Sequence, residues 1–290
     1  MSGYQVTFGP DIEAAVAADE YVLMETVACA DVLRHETRTT SPEYVRYDGD
    51  RLVLPLAAAD TADDTFSAIE VSSTPCIDQD ELDRLYQEGS PRCVLPGREA
   101  VFRNFVTSPH FADGRADDQA TNVGVNFQSW RGFDRPGVRP AFIGVGLTYV
   151  GGHGFGPALL NRSWRRRRFV AAVLDANVGF VWVRPIENFD PSEPHDLTLR
   201  WLPNRDIEFL VDGRSIAKCE DGQFQVSLLK LRRRFRQGID LFGYRHLTAD
   251  PCSITAFTDA VAATPDFEVG PRLDHDIWTA LSGMAIQPLD

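Results

Sequence analysis

The chain contains no run of about 18 consecutive apolar residues, so no membrane-spanning helix is expected. Its first residues, MSGYQVTFGPDIEAAVAADEY, hold neither a basic stretch nor an apolar core, and no secretory signal is expected there. The five cysteines, Cys29, Cys76, Cys93, Cys219 and Cys252, are odd in number and show no CxxC spacing. That argues against a disulfide framework and for free thiols in a reducing, cytoplasmic setting. Lysine is nearly missing, with Lys218 and Lys230 the only two among 29 basic residues. Acidic residues number 42, which leaves a net charge of -13. A field of that sign disfavours nucleic acid and anionic membranes as partners. The arginine runs Arg165 to Arg168 and Arg232 to Arg234 therefore read as solvated strand ends or loops. No GxGxxG precedes a helix pattern and no glycine-rich loop ends in GK[ST], so no phosphate-binding fingerprint is present. No cofactor and no metal site is expected from any ligand spacing.

What the chain does have is strand periodicity. Leu197 to Lys218, LTLRWLPNRDIEFLVDGRSIAK, reads as strand, turn, strand, tight Asp212-Gly213 turn, strand. Further strands are predicted over Asn122–Trp130, Ala141–Val150, Arg168–Leu174, Val178–Arg184, Ile239–Tyr244 and Ser253–Ala262. A hairpin is predicted at Tyr44 to Leu56 around Asp48-Gly49-Asp50, and a helix over Ile77 to Glu88, ended by Gly89. Residues 10–40 add a strand and a short helix at the edge of the fold. Short strands at regular spacing predict an all-β fold, an antiparallel β-sandwich of jelly-roll type with one or two short helices. Residues 1–290 are read as one domain, since no linker or repeat divides them.

Within Asn122–Trp130 the alternation sends Val123, Val125 and Phe127 to one face and Asn122, Gly124, Asn126, Gln128 and Trp130 to the other. Amides donate and accept, and an indole stacks, so Asn126, Gln128 and Trp130 are candidate ligand contacts. On the next strand Gly144 and Gly146 share a face with Phe142 and Thr148, and glycines inside a strand mark a bulge or a close approach. His153, among four glycines in GGHGFGP, is a candidate acid/base group, with Tyr149 beside it. Phe180, Trp182 and Arg184 share one face by the same alternation. Trp182 is either core or a stacking platform, and with Arg184 it completes the candidate substrate contacts. Glu187, Asp190, Glu193, His195 and Asp196 cluster in a proline-containing connection, where carboxylates beside His195 could bind a cation or relay protons, but their spacing matches no standard site and a solvated loop is the favoured reading.

LTLRW, PNRD, IEFLVDG and RSIAK, with the closing ITAFTDAVAA, resemble the concanavalin-like lectin/glucanase superfamily, and within it the laminarinase-like glycoside hydrolases. The resemblance covers the second half of the chain and implies a concanavalin-like sandwich with a ligand cleft. It departs from those hydrolases in lacking their Glu-x-Asp-x-Glu strand, and retaining hydrolysis needs two carboxyls about 5 Å apart. Hydrolase activity is therefore not expected. The first functional expectation is an intracellular cyclase, isomerase or lyase acting on a small organic metabolite. The alternative is a carbohydrate-binding or divergent glycoside-active protein, and the third is a non-catalytic interaction protein. The expected partner is a small-molecule or glycan ligand.

Overall fold

The computed structural model describes residues 3–18, 20–29, 32–39, 46–55, 64–74, 79–111, 121–131, 141–150, 168–175, 179–220, 253–261 and 277–289. Among these, two antiparallel sheets lie face to face, and the chain is the jelly-roll type of sandwich that the strand spacing predicts.

The first sheet contains β1 (Tyr4–Thr7), β4 (Arg46–Asp48), β5 (Arg51–Pro55), β7 (Arg98–Thr107), β12 (His195–Trp201), β13 (Ile207–Val211), β14 (Arg214–Cys219), β16 (Trp278–Leu281) and β17 (Gly283–Pro288). Its order runs β14-β13-β12-β7-β16-β5-β4, with β17 also on β7 and β1 on β17. The second sheet contains β2 (Val22–Cys29), β3 (Val32–Thr39), β6 (Asp64–Ser72), β8 (Thr121–Arg131), β9 (Ala141–Val150), β10 (Arg168–Asp175), β11 (Gly179–Pro185) and β15 (Ser253–Val261). Its order is β11-β10-β9-β8-β15-β6-β2-β3. Two helices interrupt the strands in sequence, α1 (Ile12–Ala17) between β1 and β2 and α2 (Gln79–Gln87) between β6 and β7. None of the described helices is long and apolar enough to cross a membrane.

The predicted turns follow from local chemistry. In the β13–β14 hairpin both Asp212 and Gly213 take positive φ, 50° and 73°, as a two-residue Asp-Gly turn demands. Gly49, at φ 65°, turns β4 into β5. Gly89, at φ 67°, ends the turn after α2, and Arg98 then ties that corner by donating to the carbonyls of Ser90 and Cys93, each at 2.7 Å. The predicted strand Ile239–Tyr244 lies outside the described residues. β1, β6, β7, β16 and β17 are strands that the periodicity did not reveal, and residues 10–40 hold two strands, β2 and β3, where one is predicted. Cys93 and Cys219 are buried free thiols, and burial pushes the Cys93 thiol up to about 11.

Apolar residues from both sheets meet in one core. Phe127 of β8 stacks on Trp201 of β12 with ring centres 5.6 Å apart, and Trp182 of β11 stacks on Phe209 of β13 at 5.5 Å. Phe105 of β7 tilts against Phe169 of β10 at 6.1 Å. Flat stacking of large rings between the sheets removes the greatest apolar area from water and sets their separation. One polar bond also crosses the core, from the Thr258 hydroxyl to the Leu54 carbonyl at 2.8 Å.

Candidate functional site

The second sheet has one face on this core and one face turned away from the first sheet. Strand register assigns residues to each. On β8, Val123, Val125 and Phe127 are fully buried toward the core, as the alternation predicts. Asn126 and Gln128 take the opposite face. Beside them on β15 stand Thr255 and Ser253, and Thr255 in turn pairs with Ser72 of β6. Two residues further along each strand, Gly124, Phe257 and Glu70 form the next row across β8, β15 and β6. On the other side of β8, Gly146 pairs with Asn126 and Gly144 with Gln128.

This face is polar, yet little of it meets water. Asn126 is 8% exposed, Glu70 5% and Gln128 2%, while Ser72, Ser253 and Thr255 are fully buried. Buried polar groups are expected to be hydrogen-bonded, and most are. The Ser72 and Thr255 hydroxyls lie 3.1 Å apart, and Ser72 also donates to the Ile254 carbonyl at 3.3 Å. The Ser73 hydroxyl accepts from the Ile254 amide at 3.1 Å and donates to the Arg92 carbonyl at 2.9 Å. Gln128 reaches diagonally across β15, so that its Nε2 donates to Glu70 Oε2 at 3.3 Å. Asn126 Oδ1 is the exception: it is buried and has no hydrogen-bond partner.

Glu70 is the site residue that the sequence reading missed. Burial pushes its carboxyl up to about 7, and the Gln128 amide opposes that only partly. A carboxyl that titrates near neutrality is the usual property of an acid/base or ligand-gripping group. A signal was available in SAIEVS, where Glu70 alternates with Ile69 and Val71 in a strand whose apolar face is buried.

The glycines beside the amides are required by close approach. A Cβ at Gly146 would collide with the Val125 carbonyl oxygen and come within 2.7 Å of Asn126 Cβ. A Cβ at Gly124 would stand 2.5 Å from the Leu147 carbonyl oxygen. The prediction that Gly146 marks a close approach holds, and what approaches is the neighbouring strand.

Other predicted site residues lie elsewhere. Tyr149 pairs with Val123 and Phe169, which puts it on the core side of β9, away from Asn126 and Gln128. It is 2% exposed and meets the Phe111 ring edge-on at 4.7 Å, so it is a core aromatic rather than a group of the amide face. Trp182 likewise faces the core, stacked on Phe209, and offers no platform to a ligand. Arg184 is exposed on the edge strand β11, with its guanidinium 5.7 Å from the Trp182 ring centre, and does not join the amides. The expected shared face of Phe180 and Trp182 is broken by a bulge: Val173 pairs with Trp182 but Leu174 with Phe180, leaving Val181 as the extra residue. Trp130 lies in β8 opposite Phe142, with its side chain outside the described residues, and His153 lies wholly outside them. The described aromatic on the amide face is Phe257 instead.

The acidic connection before β12 is a hydrogen-bonded corner. Asp212 Oδ2 lies 2.7 Å from His195 Nδ1, Asp212 Oδ1 accepts from the Asp196 amide at 2.9 Å, and Asp196 Oδ1 accepts from the Asn104 amide at 2.9 Å. Asp190 accepts from the Ser192 amide and hydroxyl, which hold its carboxyl below the usual range. Among the described residues no group of three or more histidine, cysteine or acidic side chains could hold a metal ion.

No family model and no curated protein matches this sequence. Solved structures similar to this chain include one described as a native glycosidic hydrolase, at 12% identity over 98% of this chain and 95% of that one, with a TM-score of 0.48. The laminarinase from Rhodothermus marinus is similar at 10% identity over 98% and 94%, with a TM-score of 0.44. The Emp46p carbohydrate recognition domain is similar at 9% identity over 98% and 96%, also with a TM-score of 0.44. Likeness at this level transfers neither residues nor activity, and the sandwich stands on the chain's own strand order.

Proposed function

We propose that the protein binds a polyhydroxylated ligand, a glycan segment, on the outer face of the second sheet. The observation that carries this reading is the polar cluster of Glu70, Asn126 and Gln128, on three adjacent rows of one strand face, which is buried and holds an unsatisfied acceptor. Amides and hydroxyls at that density suit a ligand rich in donors and acceptors. Phe257, in the same row as Glu70 and 8% exposed, is the aromatic that the C–H face of a sugar ring would meet there. A purely apolar metabolite would leave the Asn126 Oδ1 acceptor without a donor, at a cost of about 1–3 kcal/mol.

The described residues do not assemble the acid/base pair of the cyclase, isomerase or lyase expectation. Of its two acid/base groups, Tyr149 faces the core and His153 lies outside the described residues.

Calorimetric titration with gluco-, manno- and galacto-oligosaccharides tests the proposal. Binding of at least one series is expected, weakened tenfold or more by Asn126→Ala or Phe257→Ala, the effect of about 1.4 kcal/mol. The proposal fails when no series binds the folded protein, or when both variants bind as the unaltered protein does.

A further inference from the structure

The polar cluster is unbalanced in a specific way. Its unmet needs are for donors and for positive charge. Glu70 has one described hydrogen-bond partner, the neutral Gln128 amide, at a long 3.3 Å. No described arginine, lysine or histidine contacts it, and none perturbs its ionisation. Phe257 on β15 and Met24 on β2 are its register partners, and Asp259, opposite Ala68, is the titratable residue two positions along β15. Asn126 Oδ1, more than nine-tenths buried, lacks a donor. The hydroxyls of Ser72 and Thr255, which register places between the Glu70 and Gln128 rows, are engaged with each other.

A buried carboxylate without a countercharge is costly, and an acceptor without a donor forfeits a hydrogen bond. A sugar hydroxyl brings one donor and no charge. An ammonium brings three donors and the missing charge. We propose that the ligand group held at Asn126 and Glu70 is a protonated amine carried on the polyhydroxylated ligand. This rests on the glycan-binding reading and narrows it to amine-bearing members of that class.

The proton balance is explicit. Near pH 6 the Glu70 carboxyl is mostly protonated, because burial has raised it to about 7. Docking an ammonium makes the carboxylate the favoured form, so the Glu70 proton passes to solvent as the ion pair forms. The amine keeps its own proton.

The test compares an oligosaccharide carrying one primary amino group with the same sugar carrying a hydroxyl there, by calorimetry at pH 6 and pH 8. The unaltered protein is expected to prefer the amine at least tenfold at pH 8. That preference should fall about tenfold at pH 6, as the ionised fraction of Glu70 falls. In Glu70→Gln, amine and hydroxyl ligands should bind alike at both pH values. A second readout needs no variant: titration at pH 6 in buffers of different ionisation enthalpy should show about one proton released per amine bound and none for the hydroxyl ligand. Equal affinity for both ligands, a preference that survives Glu70→Gln, or no proton release overturns the amine while leaving glycan binding standing. Failure of both ligands to bind overturns the two together.

Discussion

Replacing Glu70 with glutamine keeps the side chain's size and leaves a carbonyl oxygen for the Gln128 amide, but removes the ionisable group. In the folded chain this carboxyl sits at about 7, against an ordinary value of 4.5. In the unfolded chain it ionises around the ordinary value, so the native state holds its proton longer. Native stability from this group is therefore intact below about pH 4.5, declines as pH rises through the interval to 7, and levels off above it. Each pH unit of that interval is worth about 1.4 kcal/mol, so the whole effect is about 3 kcal/mol. Urea unfolding of the unaltered protein and of Glu70→Gln, at half-unit steps from pH 4.5 to 8, reads this as a difference. All other titrating groups are shared and cancel. At a urea m-value of about 3 kcal/mol/M, the gap between the two midpoints should open by about 1 M across the range, in favour of the variant at high pH. Two parallel midpoint curves would refute the reasoning, because they would mean that Glu70 ionises as easily in the fold as outside it. A gap that opens with falling pH would refute it more strongly, because it would mean that the carboxylate is stabilised by a countercharge.

Gly146→Ala forces a methyl into the Val125 carbonyl and the Asn126 side chain, and should cost about 1–3 kcal/mol, read as a lower melting temperature. Trp201→Ala removes a fully buried ring stacked on Phe127, and should cost about 3–5 kcal/mol in chemical denaturation. Tyr149→Phe should leave glycan affinity unchanged, because Tyr149 faces the core; a tenfold loss would put its hydroxyl back among the ligand contacts.

Much of the fold was legible because strand periodicity and turn chemistry are local. The Asp212-Gly213 turn, the boundaries of β8, β9 and β13, and the division of β8 into a valine face and an amide face all follow from residues adjacent in sequence. The candidate site was legible only in part. Asn126 and Gln128 were found because β8 alternates cleanly. Glu70 was not, because its partner is 58 residues away, and nothing within DTFSAIEVS says which strand will lie beside it.

The chain's own order of residues determined that strands would form, where they would turn and which side chains of each strand would share a face. Tertiary structure decided which faces meet. Tyr149 and Thr148 are neighbours with opposite faces, and only the pairing of Tyr149 with Val123 and Phe169 sends the phenol into the core. One bulged residue, Val181, separates Phe180 from Trp182, and no periodicity predicts it. The physical reason is that alternation is a property of a single extended backbone, whereas register, bulges and the burial of a lone carboxyl depend on strands brought together from distant parts of the chain.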